Sequence, residues 1–161
     1  MSKAIKIFLL ISLVLFFQVG IFPHIAIAGA YPNLILILII SISILKGFKE
    51  SLLWTIVAGL FLDFYSLNNF LGISVINLLI VSLVAYFMTQ NIFKKTSPSS
   101  VASVFFLTIV LYNILLLVGY KISGNGFEFV FLKILIGVLY DSIVAVPVFY
   151  IIKKLFPVVK T

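Results

Sequence analysis

Residues 34–65 read LILILIISISIL, KGFKE, SLLWTIVAGLFLDFY, so a short segment with two lysines separates two apolar runs. Neither run alternates apolar with polar residues in the way that strands of a membrane β-barrel do, and each run is therefore predicted to be a helix. A re-entrant hairpin that only dips into the bilayer would place Lys46 and Lys49 deep in lipid, at a cost of roughly 2.5–3.5 kcal/mol each. Two complete membrane crossings are predicted instead.

The other lysines extend this pattern along the chain. Nine of the eleven lysines fall in alternate gaps between apolar runs, whereas the intervening gaps hold only Lys121, and Lys133 lies inside a run. Cytoplasmic loops of membrane proteins accumulate Lys and Arg, so both termini are predicted to be cytoplasmic. The nine are Lys3, Lys6, Lys46, Lys49, Lys94, Lys95, Lys153, Lys154 and Lys160.

Composition indicates that the whole chain is a membrane domain. Apolar residues make up 64% and charged residues 9% of the 161 residues, which is too apolar for a soluble core of this size. The chain is therefore predicted to be an all-α integral membrane protein, a single polytopic domain built as a bundle of six transmembrane helices. The predicted spans are residues 5–22, 32–45, 51–66, 71–89, 101–120 and 128–152.

The first run has an alternative interpretation as a signal peptide. Ala26-Ile27-Ala28 resembles a small-residue cleavage site that follows an apolar stretch. The run is longer than a usual signal core, and Pro23 and His24 intervene before the small residues. The first run is therefore predicted to be retained as a span.

Several classes of activity find no support in the sequence. The chain has no cysteine, which excludes disulfides, thiolate metal sites and cysteine nucleophiles. Its formal charge of +7 comes from lysines that flank the spans and favour anionic lipid headgroups, with no basic block of the kind that binds nucleic acid. His24 is the single histidine and has no evident serine and carboxyl partners. No catalytic residue, cofactor site or metal site is predicted, and the lipid bilayer is a predicted partner.

Three ionisable residues lie within the runs, where such residues are candidates for function because they are costly to leave in lipid. They are Asp63, Lys133 and Asp141. Asp63 follows Glu50 by 13 residues and Asp141 precedes Lys153 by 12, so both carboxyl groups are predicted to lie roughly 18–20 Å from the cytoplasmic edge. Lys133 is predicted to snorkel to the outer surface, and the alternative is that it turns inward to neutralise a carboxylate.

A glycine precedes each aspartate by four residues, at Gly59 and Gly137, so glycine and acid share a helix face. A small residue there is predicted to let another backbone approach the acid closely. The two helices are predicted to run in opposite directions three spans apart, which is a feature of inverted repeats in some transporters. The aspartates are predicted to be buried polar fasteners, with a transport or proton-relay role as the alternative. The side chains proposed to bind them are Asn77, Tyr112 and Asn113.

Three short motifs carry a resemblance to a known family. They are Tyr31-Pro32-Asn33-Leu34-Ile35-Leu36, Ala58-Gly59-Leu60-Phe61-Leu62-Asp63 and Asn69-Phe70-Leu71-Gly72, in that order. In order and spacing they resemble the bacterial rod shape-determining protein MreD family, and Pro32 suits the first turn of the second helix. The family helix that corresponds to the last span more often carries asparagine where this chain has Asp141. The motif positions are Pro32, Asn33, Gly59, Asp63 and Gly72.

The resemblance implies a non-enzymatic component of the bacterial cell-elongation machinery, which sets rod shape and lateral peptidoglycan synthesis. The protein would lie in the cytoplasmic (inner) membrane and act by protein–protein contacts, with no cofactor. Its implied partners are an MreC-type wall protein, the MreB cytoskeleton and other elongation-complex membrane proteins.

An alternative of a different class is the substrate-binding S component of an energy-coupling-factor vitamin transporter. Those subunits resemble each other in an Ala-x-x-x-Ala seam on the first helix, and this chain has no alanine between Ala4 and Ala26. Intramembrane aspartyl proteases resemble this chain less, because they carry Gly-x-Gly-Asp where this chain has Leu60-Phe61-Leu62-Asp63.

Overall fold

A computed structural model describes residues 3–27, 29–66, 72–92, 97–122 and 128–155. These residues contain six α-helices, one short 3-10 helix and no strand; the only bridge among them joins Ile27 and Ala30. The all-α prediction is confirmed. The elements are α1 (Lys3–Gly20), the 3-10 helix (Phe22–Ile25), α2 (Leu34–Lys46), α3 (Phe48–Ser66), α4 (Ile73–Asn91), α5 (Pro98–Ile122) and α6 (Glu128–Leu155).

Each predicted span overlaps one helix, with bounds that differ by up to three residues, but the helices differ in their suitability to cross a bilayer. Within the described ranges, three segments are long and apolar enough to do so, namely Ile73–Asn91, Pro98–Gly119 and Lys133–Leu155. The apolar segments Leu9–Gly20 and Leu34–Lys46 are shorter. These three helices fit insertion into a membrane.

Helix α2 is the centre of the bundle. Every residue from 35 to 45 is buried, and α2 contacts all five of the other helices. The sequence explains this position, because a helix that is apolar on all faces is stable when other elements cover all of those faces. The surrounding helices contact one another in the order α1, α3, α4, α5, α6, and the described residues of α6 do not contact α1.

The outer helices expose apolar side chains at helical spacing. A chain in water would bury such stripes, whereas lipid tails solvate them. The exposed faces therefore agree with a lipid environment around the bundle. The stripes include Ile5, Leu9 and Leu13 on α1, Leu53, Ile56, Leu60 and Phe64 on α3, Ile76, Ile80, Leu83 and Phe87 on α4, and Leu135, Leu139 and Ile143 on α6.

Two contacts fix the register of α2 against α4. The Ser43 hydroxyl donates a hydrogen bond of 2.6 Å to the Ser82 carbonyl, and Gly47 lies against the Tyr86 ring. Both pairs are 39 residues apart (82 − 43 and 86 − 47), so α2 and α4 run parallel and in register. The same offset places the residue before α2, at position 33, level with the residue before α4, at position 72. The two helices therefore begin at the same end of the bundle and at the same level.

The packing contradicts the inverted-repeat hypothesis. A pseudo-two-fold that exchanges the first three helices with the last three would turn the contact between α3 and α4 into a contact between α6 and α1. The α3–α4 contact is extensive, whereas α6 and α1 do not meet among the described residues.

Candidate functional site

Asp63 lies in the last turn of α3 and binds the beginning of α4. Its side chain is only 1% exposed, and its carboxyl oxygens accept hydrogen bonds from the backbone N–H groups of Gly72 (2.7 Å) and Ser74 (3.0 Å). The first turn of a helix has N–H groups with no partner inside the helix. Gly72 is the N-cap of α4, with a φ of +103°, and has no side chain that could accept from them. Asp63 supplies the missing acceptor from the neighbouring helix.

Gly59 makes this contact possible, because α3 and α4 approach each other at this residue. A Cβ atom at Gly59 would lie 2.6 Å from the Cα atom and 2.8 Å from the backbone nitrogen of Val75. A Cβ atom there would also lie 2.7 Å from the Cγ2 atom of Val75, so any side chain at position 59 would push against the backbone of α4 as well as against the Val75 side chain. One helical turn later, Asp63 reaches the N–H groups of α4 across the same close interface.

Asp141 lies in the middle of α6 and binds the beginning of α2. It is 5% exposed and accepts a hydrogen bond of 2.6 Å from the Asn33 backbone N–H. Asn33 is the N-cap of α2, and its side-chain oxygen accepts from the Leu36 N–H at 3.1 Å. The Gln18 side chain of α1 accepts from the Ile35 N–H, also at 3.1 Å. Three helices therefore meet at the first turn of α2, and each contributes one acceptor.

Two details of this junction differ from the sequence analysis. Pro32 does not lie in the first turn of α2, because Asn33 caps the helix and Leu34 begins it, which leaves Pro32 one residue before the cap. Gln18 is not among the candidate residues named above, although it is a buried amide in a stretch of α1 whose one other polar residue after Lys6 is Ser12. A lone amide in an apolar run is the signal that points to such a residue, because a polar side chain in lipid needs a partner.

The two aspartates play equivalent roles at one end of the bundle. The N-terminus of a helix carries a partial positive charge, and an acidic side chain placed there is favourable. Because α2 and α4 begin at one level, the two carboxyl groups also lie at one level, on α3 and α6, which both contact α2. The described donors to both aspartates are backbone N–H groups, and the Asn113 amide donates to the Ile109 carbonyl of its own helix. Both aspartates therefore accept hydrogen bonds at the beginning of a neighbouring helix.

The remaining predicted site residues are not brought into this junction. The prediction that Gly137 lets another backbone approach Asp141 is wrong, because nothing lies within 4 Å of a Cβ atom built at that position. Lys133 is exposed on α6 and does not turn inward toward either acid. His24 is exposed in the 3-10 helix, and the described residues include no group of three acidic, histidine or cysteine side chains that could hold a metal ion.

Comparison with known proteins identifies the family. The family model described as rod shape-determining protein MreD matches residues 1–159, which include all six helices and every motif position. No curated protein and no solved structure matches the chain. The family acts in the MreBCD shape-determining system and is not known as an enzyme family, and the match gives no support to the vitamin-transporter alternative. The match over residues 1–159 shows that this chain belongs to the rod shape-determining protein MreD family.

Proposed function

We propose that this protein is a non-enzymatic component of the machinery that elongates rod-shaped bacterial cells, embedded in the cytoplasmic membrane as a single polytopic domain. The family match over nearly the whole chain is the observation that carries this proposal. The protein acts by protein–protein contacts in the membrane, with an MreC-type wall protein, the MreB cytoskeleton and other elongation-complex proteins as its partners. Exposed apolar stripes and loop tips are the surfaces that a small bundle offers for such contacts.

All six helices cross the membrane in this proposal, with both termini in the cytoplasm. The turn between α2 and α3 supports full crossings, because Gly47 lies beside Tyr86, which is five residues, or roughly 7.5 Å, from the end of α4. The hairpin of α2 and α3 thus extends almost as far as α4, which is long enough to span the bilayer by itself. The short length of α2 is tolerable because protein, not lipid, surrounds it.

The described lysines support the proposed orientation. Asn33 contacts Asp141, and 13 residues further along each helix the chain reaches Lys46 on α2 and Lys154 on α6. Because short connections make consecutive helices of the bundle antiparallel, α2 and α6 run in the same direction. Both lysines therefore belong to the same end of the bundle, which the positive-inside rule assigns to the cytoplasm.

A complementation experiment tests the proposed function. Depletion of the protein should turn rod-shaped cells round, and the wild-type chain should restore rods and recover an MreC-type protein by affinity capture. Gly59→Ala should restore shape poorly, whereas Gly137→Ala, the same change at an open position, should restore it fully. Immunoblots of the membrane fraction would confirm equal amounts of the two variants. Depleted cells that remain rods, with no MreC-type protein in the captured material, would refute the proposal.

A labelling experiment tests the orientation separately. The chain has no cysteine, so each introduced thiol is unique. Cysteine at Lys49 or Ser97 should react with a membrane-impermeant maleimide only after the cells are permeabilised, and cysteine at the exposed residue Ile25 should react in intact cells. The reverse pattern would overturn the assignment of both termini to the cytoplasm.

A further inference from the structure

Helix α6 is the least covered of the three long apolar helices. The buried share of its apolar stretch is 17%, compared with 28% for α4 and 39% for α5. Exposed side chains at four-residue spacing form one continuous row along it, which we call the α6 ridge. Rows of this spacing pack into the grooves of a neighbouring helix. The α6 ridge consists of Leu135, Leu139, Ile143, Pro147 and Ile151.

Pro147 leaves one backbone carbonyl of the α6 ridge without its usual donor. Proline has no N–H group, so the Ile143 carbonyl, four residues earlier, does not receive the hydrogen bond that closes a regular helical turn. The proline ring also crowds this carbonyl and bends the helix. The adjacent polar side chain on α6, Ser142, does not replace the lost donor, because its hydroxyl donates to the Val138 carbonyl at 2.6 Å.

The Ile143 carbonyl lies near the middle of the membrane in the proposed arrangement. Ile143 is ten residues, or roughly 15 Å, from Lys133 and equally far from Lys153 (143 − 133 and 153 − 143). Its side chain is 73% exposed, more than any other large apolar residue in the described part of the chain, so this face of α6 meets lipid. A carbonyl that proline frees in a membrane helix is normally paired by a neighbouring helix, a Ser or Thr side chain or water, and hydrocarbon offers no donor.

We propose that the α6 ridge is the docking surface for a transmembrane helix of another protein, which carries an Asn, Gln, Ser or Thr side chain at mid-membrane that donates to the Ile143 carbonyl. This inference rests on the proposed function, to which it adds the docking surface and the chemistry of one membrane partner. A second copy of this chain does not meet the requirement, because the side chains exposed in the middle of its other described outer helices are apolar. They include Leu13, Ile56, Ile80 and Leu107.

Binding of a model transmembrane peptide to the full-length protein in phosphatidylcholine vesicles tests the inference. One peptide is a polyleucine helix with a single asparagine at its centre, and the reference peptide has leucine there. Both are kept dilute in the lipid so that they stay monomeric. Energy transfer from the peptide to a dye on the single thiol of Lys49→Cys measures the two affinities. The asparagine peptide should bind roughly 3- to 15-fold more tightly, as expected for one hydrogen bond between membrane helices.

Pro147→Ala is the decisive variant, because alanine restores the N–H group that pairs with the Ile143 carbonyl inside α6. The two peptides should bind this variant equally. Pro98→Ala is the matched control, since Pro98 is also exposed but is the first residue of α5, where proline frees no carbonyl of a preceding turn. The preference for asparagine should persist in the control. A preference that survives Pro147→Ala, or equal binding of both peptides to the wild-type protein, would overturn the inference.

Disulfide formation locates the bound peptide, which carries a cysteine one turn to each side of its asparagine. The protein carries one cysteine, at Leu139 on the α6 ridge or at Ile114 on α5, and both positions are exposed. The Phe105 and Phe149 rings, 5.8 Å apart, set α5 and α6 in register. Ile114 and Leu139 lie nine and ten residues from these rings toward the end at which α2 and α4 begin, so their depths agree within roughly 1.5 Å.

Only Leu139→Cys should form a disulfide with the peptide. Equal yields at the two positions would overturn the inference, and so would a disulfide between two Leu139→Cys chains that is as abundant as the peptide adduct, because a second copy would then be the occupant. The vesicle measurements do not depend on cell shape. Failure of the proposed function itself would therefore appear separately, in the complementation experiment.

Discussion

Replacing Gly59 by alanine is the perturbation whose effect the structure specifies best. The new Cβ atom would lie 2.6 Å from the Val75 Cα atom, whereas two carbon atoms in contact prefer about 3.5–4.0 Å. Helix α4 would have to retreat by about 1 Å. The hydrogen bonds from Gly72 and Ser74 to Asp63, now 2.7 and 3.0 Å, would then exceed the length at which such bonds remain strong, about 3.2 Å.

Three contributions set the expected change in the free energy of unfolding. Overpacking of the α3–α4 interface costs about 1–3 kcal/mol, and leaving buried polar groups without partners costs about 1–3 kcal/mol. The higher helix propensity of alanine offsets about 1 kcal/mol of this loss. The expected net effect of Gly59→Ala is a loss of about 3 kcal/mol, near the middle of the range given by these terms.

Reversible unfolding in mixed micelles measures this change, and Gly137→Ala provides the matched control. The control makes the same chemical change inside a helix at a position with nothing within 4 Å, so its stability should be unchanged or higher by up to about 1 kcal/mol. Equal stability of the two variants would refute the close-approach argument. A double-mutant cycle with Asp63→Ala adds a second criterion, because Gly59→Ala should cost less once the hydrogen bonds of Asp63 are already absent. Strictly additive losses would show that Gly59 does not act through Asp63.

Substitutions at three positions test the caps of α2 and α4 by the same unfolding measurement. Asp63→Ala should destabilise the protein more than Asp63→Asn, because asparagine retains one oxygen acceptor; equal losses would contradict the two-bond geometry. Gln18→Leu should cost about 1–3 kcal/mol by leaving the Ile35 N–H unpaired and should lower the yield of a disulfide engineered between α1 and α2, and an unchanged yield would count against Gln18 as the link. Asn33→Ala should cost about 1 kcal/mol and Asn33→Ser much less, because serine is also a good N-cap, so identical losses would argue against capping.

The helices could be predicted because residues near each helix end mark its boundary. Lysines, Pro98 and Gly72 lie at or near the ends of the apolar runs, and each predicted span overlaps one helix. The central position of α2 follows from its uniformly apolar faces only once the neighbouring helices are known to be numerous enough to cover them. The pattern alone describes a short apolar helix and does not distinguish a buried helix from one that faces lipid.

The contacts of the site could not be predicted to the same degree. Gly59 and Gly137 stand in identical positions relative to an aspartate, yet only Gly59 lies where two backbones meet. The acceptors for Asn33 and Ile35 come from two other helices, 108 and 17 residues away in the sequence, and the donors are backbone groups that every residue except proline possesses. Sequence patterns indicate that a buried carboxyl group needs a partner, but the choice of helix N-terminus depends on how the whole bundle packs.

The enclosed position of α2 has a consequence for how the protein is made. A helix of 13 residues is about 20 Å long, well below the roughly 20 residues that an independent transmembrane segment requires. Helix α2 must therefore stay packed against α1 and α3 while the later helices are synthesised. The hydrogen bond from Asn33 to Asp141 forms only once α6 has been made, so a residue translated 108 positions later completes a junction that begins at α2. Truncated chains that lack α6 would therefore leave the Asn33 N–H without the acceptor that Asp141 supplies.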